Sequence, residues 1–278
     1  MPYVRSGNAD VYYEDYGSGE PIVALHGLIE NTTYFTRTGV CEALAAHYRV
    51  IPVDMRAHGK TRVDGEPWGY DVVTHGKDLV ALVDHLGLDR FHVLCHSTGG
   101  FVATRYAMEN SERLLSLLLT DTTSATDFFQ VSEESKVFHD RFAQSFETND
   151  WDKIMDTIKI QPFPFFQGIA EREDKDALYD MAHEIFRLND RLAIGAFVRS
   201  FYNDPDPRVE GLRKISCPTL IQVGDMDDLF IEPSHLMKKE IPDSKLIIYE
   251  KTGHMLAIER PKEMVNDILA FLGSIGGR

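Results

Sequence analysis

Short apolar runs bounded by turn residues recur along the chain: Ile22-Val23-Ala24-Leu25, Val50-Ile51-Pro52-Val53, Phe91-His92-Val93-Leu94, Leu114 to Leu119, Leu220-Ile221-Gln222-Val223 and Leu246-Ile247-Ile248-Tyr249. Most are near-continuous in apolar character, as strands covered on both faces must be. Stretches with helical spacing separate several of them, notably Tyr70 to Leu86, closed by Gly87, and Pro261 to Leu272, where proline suits a first turn. This alternation predicts an α/β fold with a mostly parallel sheet flanked by helices. Ahead of these runs, Val11 to Tyr16 reads as an early strand ending at the turn Gly17-Ser18-Gly19.

Between Thr122 and Pro207 the strand rhythm stops. Helix-like segments are expected over 135–145, 151–158, 175–188 and 191–202, and the stretch holds 11 of the chain's 16 Phe, among them Phe128, Phe129, Phe142, Phe165 and Phe201. The pattern predicts a helical insertion over 122–207 within a core formed by 1–121 and 208–278. Its aromatic side chains suit both a small helical core and an apolar lid over a pocket, since ligand sites are mostly hydrophobic and often lie where two layers meet.

Composition narrows the function classes. The 278 residues, 43% hydrophobic and 26% charged, are those of a globular chain able to bury about three quarters of its extended surface. The net charge of −15 repels phosphate backbones and anionic headgroups, which argues against nucleic acid and membrane partners. Cys41, Cys95 and Cys217 are few and scattered, suggesting neither a disulfide framework nor a zinc site. With no signal-like N-terminus and no apolar run long enough to span a bilayer, a soluble, cytoplasmic protein is expected.

The segment Phe91 to Val102, reading FHVLCHSTGGFV, is an apolar strand, a sharp turn and the start of a helix. Such a turn holds its central residue, Ser97, in strained geometry and projects the side chain from the sheet edge. A serine hydroxyl is a weak nucleophile that needs an adjacent base, itself oriented by a third group. His254, in the loop after the run ending at Tyr249, is the best base. A carboxylate follows the neighbouring run in Gly224-Asp225-Met226-Asp227-Asp228, and Asp121 ends another. Gly27, in Leu25-His26-Gly27-Leu28, lets the backbone turn N–H groups inward as donors to an oxyanion. His26, His58 and His96 are expected to hold loops around the pocket, and Cys95 to pack. No His or Cys pair has metal-binding spacing.

HG at 26–27, DMRAHGKT at 54–61, HSTGG at 96–100, GDMD at 224–227 and GH at 253–254 occur in this order, and with them the chain resembles the α/β-hydrolase fold superfamily, specifically serine hydrolases of the esterase and lactonase kind with a helical cap. The resemblance implies an eight-stranded, mostly parallel sheet. It further implies Ser97 as nucleophile, His254 as base and acid, Asp227 as the orienting carboxylate, and the backbone N–H groups of Leu28 and Thr98 as the oxyanion hole. An ester or lactone substrate and no cofactor are expected. Related folds also cleave carbon–carbon bonds of dienone-type intermediates, run lyase chemistry or act as ligand receptors, and these stay open alternatives. Two departures stand out: Cys95 replaces the glycine that usually opens the elbow, and the proline of the acid loop arrives only at Pro233. The acid is therefore Asp227 or Asp121.

Overall fold

A computed structural model describes residues 2–65, 70–123, 133–201 and 209–276. The six apolar runs form six parallel strands: β4 (Pro21–Leu25), β5 (Arg49–Val53), β7 (Phe91–His96), β8 (Leu114–Thr120), β9 (Thr219–Gly224) and β10 (Ser244–Tyr249), which follow the short β1 (Tyr3–Ser6), β2 (Ala9–Tyr12) and β3 (Tyr16–Gly17), with β6 (Arg62–Val63) between β5 and β7. The main sheet runs β10-β9-β8-β7-β4-β5-β3, with only β3 antiparallel to its neighbour. Among the described residues it thus has seven strands where eight were expected. The early strand predicted over 11–16 is divided: Ala9–Tyr12 pairs with β1 and β6 in a separate three-stranded sheet, Tyr16–Gly17 joins the main edge, and a single bridge from Tyr13 to Val53 lies between them.

Helices cover both faces. α1 (Thr33–Arg37) and α2 (Val40–Ala45) follow β4, α3 (Val72–His85) precedes β7, and α4 (Thr98–Asn110) follows it. Asp71 caps α3 by accepting the Thr74 N–H at 2.8 Å, which places its start two residues inside the predicted span. Between β8 and β9 lie α5 (Glu133–Thr148), α6 (Trp151–Ile160), α7 (Gln167–Ala170), α8 (Lys175–Phe186) and α9 (Arg191–Phe201). Then come α10 (Val209–Leu212), α11 (Ile231–Glu240), α12 (Leu256–Glu259) and α13 (Pro261–Ile275). Phe128, Phe129, Tyr202 and Pro207 lie outside the described residues.

Successive strand residues point to opposite faces, and the core divides accordingly. Val93 and Leu117 pack with Leu82 and Phe101 from α3 and α4, while their neighbours Leu94 and Leu118 pack with Leu44 and Leu272 from α2 and α13. The second cluster continues into Phe146, Trp151 and Phe186 of the helices between β8 and β9. Full burial of each such side chain contributes about 1.5–3 kcal/mol. Polar links fasten the end of α8 to the loops that follow β4 and β5. Asn189 Nδ2 donates to the Ile29 carbonyl at 2.6 Å, the Gly59 N–H donates to Asn189 Oδ1 at 2.8 Å, and Asn31 Nδ2 donates to the Ile185 carbonyl at 2.8 Å.

Candidate active site

Ser97 sits between β7 and α4 with φ 47° and ψ −118°, in a region that non-glycine residues rarely enter. Its backbone is held from three sides. The Ser97 N–H donates to the Thr120 carbonyl at 3.1 Å, and its own carbonyl accepts from the Gly100 N–H at 2.8 Å and Thr122 Oγ1 at 2.6 Å. These bonds stabilise a conformation that costs of order 1–3 kcal/mol in isolation. Cys95 needs no glycine's freedom, because its φ is not positive, and it packs as a core side chain with Sγ donating to the Leu118 carbonyl at 3.4 Å. Burial raises its thiol pKa, which leaves it a packing residue.

His254 follows β10 and is buried between rings: Phe165 at 4.8 Å, Phe230 at 4.9 Å and His96 at 4.8 Å. Its Nδ1 lies 2.8 Å from Oδ2 of the fully buried Asp227. A carboxylate only accepts, so Nδ1 carries the proton and Nε2 is left with its lone pair, the tautomer of a general base. Asp121 does not meet His254 in this way. Its oxygens accept the Gly224 N–H at 3.1 Å and the Leu256 N–H at 3.4 Å, and burial, followed by the charge of Asp227, raises its pKa well above the ordinary value. Asp225 and Asp228 are exposed. Pro233 falls in the first turn of α11, where a missing N–H costs no helical hydrogen bond.

The loop after β4 is shaped by histidines. His26 Nε2 accepts the Met55 N–H at 3.0 Å while Nδ1 donates to the Gly27 carbonyl at 2.8 Å, and burial lowers its pKa to about 4, so it stays neutral. His58 Nε2 accepts the Ile29 N–H at 3.3 Å, and Glu30 Oε2 accepts the Gly27 N–H at 2.5 Å. Leu28 thus lies between two residues whose N–H groups are already bonded. Thr98 is the first residue of α4, whose N–H the helix leaves unpaired.

His96 faces acceptors on both sides. Nδ1 hydrogen-bonds Glu30 Oε2 at 2.9 Å, and Nε2 lies 2.8 Å from the His254 carbonyl. Burial opposes a charge on this ring, but the charge and hydrogen bond of Glu30, together with the His254 carbonyl and the charge of Asp227, outweigh it and raise the His96 pKa above the usual value. Tyr34 stacks on the same ring at 4.7 Å. His96 ties the base loop to the loop after β4.

Ser97 and His254 line one narrow cavity whose walls are largely aromatic, with Phe101, Phe142, Phe163, Phe165 and Phe230 among them. Glu30 lines it too, and is its one carboxylate among the described residues. The structure thus brings Ser97, Leu28 and His254 around the same space, with Asp227 behind the histidine and Thr98 next to Ser97 in the chain but not among the lining residues. Glu30, Phe230 and Asn189 escaped sequence reasoning, since no motif or periodicity singles them out. Among the described residues no group of His, Cys, Asp or Glu is arranged to hold a metal ion, and no helix is long and apolar enough to cross a membrane.

The profile of the alpha/beta hydrolase fold family matches residues 20–261. The chain is 25% identical to a putative 2-succinyl-6-hydroxy-2,4-cyclohexadiene-1-carboxylate synthase of Bacillus subtilis, over 98% of this chain and 96% of that protein. It is 27% identical to a pimeloyl-(acyl-carrier protein) methyl ester esterase of Aeromonas hydrophila, over 95% and 99% respectively. A carboxylesterase structure from Nitrososphaera gargenis shares the fold with a TM-score of 0.85 at 23% identity, covering 99% of both chains.

Proposed function

The chain belongs to the α/β hydrolase fold family, and we propose that it hydrolyses a carboxylic ester or lactone of a small, largely apolar or aromatic substrate through an acyl-enzyme. The observation that carries this reading is the Asp227–His254 hydrogen bond behind a cavity that His254 shares with the strained Ser97. In this mechanism His254 Nε2 takes the Ser97 proton as the hydroxyl attacks the carbonyl carbon. The N–H groups of Leu28 and Thr98 hold the oxyanion, and His254 then protonates the leaving alcohol. Water activated by His254 releases the acid. Asp227 keeps the imidazole oriented and stabilises its protonated form. The helices within 122–207 act as a cap on a core of 1–121 and 208–278, with the Phe-rich wall selecting apolar acyl groups. The Aeromonas relative is by name a methyl ester esterase, which fits an ester as the bond cleaved.

A 4-nitrophenyl ester chain-length series, run with intact-mass labelling by a fluorophosphonate on wild type and Ser97→Ala, tests the reading. Turnover that favours short to medium acyl chains and a single adduct are expected, both lost in Ser97→Ala. Folded wild type with neither would overturn it and bring a carbon–carbon bond hydrolase to the front.

A further inference from the structure

Two segments from opposite ends of the chain have to meet for the chemistry proposed above: the loop after β4, whose Leu28 N–H is to hold the oxyanion, and the loop after β10, which carries His254. A chain of hydrogen bonds through two buried side chains joins them. Glu30 Oε2 accepts the Gly27 N–H at 2.5 Å. His96 Nδ1 hydrogen-bonds the same carboxylate, 2.9 Å from each of its oxygens, and Nε2 lies 2.8 Å from the His254 carbonyl. The two links span 66 and 158 residues of sequence.

The pair has little room to shift. A Cβ on Gly27 would lie 2.8 Å from His96 Nδ1, 2.9 Å from Glu30 Oε2 and 3.0 Å from Ser97 Cβ, so both side chains rest directly on the backbone that precedes Leu28. Tyr34 stacks on the His96 ring at 4.7 Å, and its hydroxyl accepts the Ala257 N–H at 3.4 Å, three residues past His254. Asp121 Oδ2 faces His96 Nε2 from farther off, at 3.9 Å, and is turned to the Leu256 N–H. Both members of the pair are 1% exposed. Burying a carboxylate and an imidazole costs several kcal/mol that their contact recovers only in part, and apolar side chains of similar volume would hold the two segments together as well. What the hydrogen bonds add is a fixed distance and direction, which a reacting constellation requires to within about 0.5 Å.

Resting on the ester-hydrolase reading, we propose that Glu30 and His96 are positioning residues that act as one unit, setting the oxyanion loop and the His254 loop in register so that a disturbance on the oxyanion side reaches the base. Neither side chain moves a proton in the steps above. Each acts through the backbone it holds: Glu30 through the Gly27 N–H, His96 through the His254 carbonyl. Their effect therefore falls on kcat, because misplaced donors and a misplaced base weaken the transition state more than the bound ester.

The test follows the low-field proton NMR resonance of the His254 Nδ1–H, identified by its loss in His254→Gln, beside kcat, KM and Tm with 4-nitrophenyl butanoate. It uses the full-length wild type, Glu30→Gln, His96→Phe and the double variant. Glu30→Gln keeps the side-chain shape, and His96→Phe keeps a ring against Tyr34. Glu30→Gln is expected to shift the His254 resonance, although its own contacts are with Gly27 and His96, and to shift it no further in the His96→Phe background. Each single variant lowers kcat roughly 10- to 100-fold, the range for a lost hydrogen bond to a charged group. KM stays within about threefold, since the interaction lost is one that the transition state needs. The double variant loses less than the product of the two single losses. An unshifted resonance in Glu30→Gln overturns the proposal, and this mild variant decides it without a folded His96→Phe. Losses of kcat that multiply overturn it too, as does a fall in Tm with kcat and the resonance unchanged, which is what a merely structural pair gives. Fluorophosphonate labelling of wild type separates the two readings: a label and turnover with an unshifted resonance reject this inference alone, whereas no label and no turnover reject the ester hydrolase as well.

Discussion

Asp121 and Asp227 end neighbouring strands, and their surroundings assign them different work. Asp227 meets the ring of His254, whereas Asp121 is enclosed by backbone N–H groups and is pushed toward its protonated form by burial and by the Asp227 charge. Replacing Asp227 with Asn leaves the shape but offers Nδ1 an amide that also donates, so the wrong tautomer of His254 is favoured. Asp227→Asn should lower kcat on the order of 10³–10⁴-fold. In Asp121→Asn the amide stands close to the shape of a protonated carboxyl, and kcat should fall by less than about tenfold, the remaining loss being mainly one of stability. Steady-state kinetics on both variants checks the contrast, and a larger loss at Asp121 than at Asp227 would reverse the roles.

At the scale of elements, the geometry of the candidate site depends on contacts between segments far apart in the chain. The short α7 presses Gly168 against Gly253, one residue before the candidate base: a Cβ on Gly253 would lie 2.7 Å from the Gly168 nitrogen, and one on Gly168 would fall on the Gly253 backbone. Glu259 of α12 completes the seat by accepting the Gly253 N–H at 3.0 Å and the Met255 N–H at 3.2 Å. Phe165, three residues before Gly168, lies with its ring tilted against that of His254 at 4.8 Å. Gly168→Ala should therefore do two things together. Overpacking of about 1–3 kcal/mol lowers Tm by roughly 2–10 °C, and displacement of the His254 loop reduces kcat for every ester alike. Thermal unfolding followed beside kcat measures both, and a variant with native Tm and native kcat would show that the segments part without consequence.

For the whole molecule, charge acts over a longer range than any contact. A net charge of −15 surrounds a cavity whose walls are mainly aromatic, so anionic esters approach against a repulsive field that neutral ones do not feel. Raising the ionic strength from about 0.01 M to about 0.5 M shortens the screening length from about 30 Å to a few Å. The value of kcat/KM for an anionic ester such as a monomethyl dicarboxylate should rise over that range while that of a neutral ester of equal length stays flat. Parallel salt profiles for the two esters would place a local positive field at the cavity mouth in opposition to the overall charge.

The strands, the turn at Ser97 and the order in which the candidate site residues Ser97, Asp227 and His254 follow their strands were legible in the amino-acid order, because each is written locally. Apolar runs of strand length specify burial on both faces, and a turn motif directly after such a run specifies an exposed apex. The acid was less legible, since Asp121, Asp225, Asp227 and Asp228 all follow strands. Which of them meets His254 depends on how β8, β9 and β10 lie side by side. The edge strands β3 and β6, two residues each, were too short to carry a pattern. Glu30, the Asn189 links and the Gly168–Gly253 seat had no local signature, because their meaning lies in partners dozens to over a hundred residues away, His96 for Glu30 and Ile29 for Asn189. Periodicity records whether a side chain is buried; only the packed arrangement of the strands decides against what.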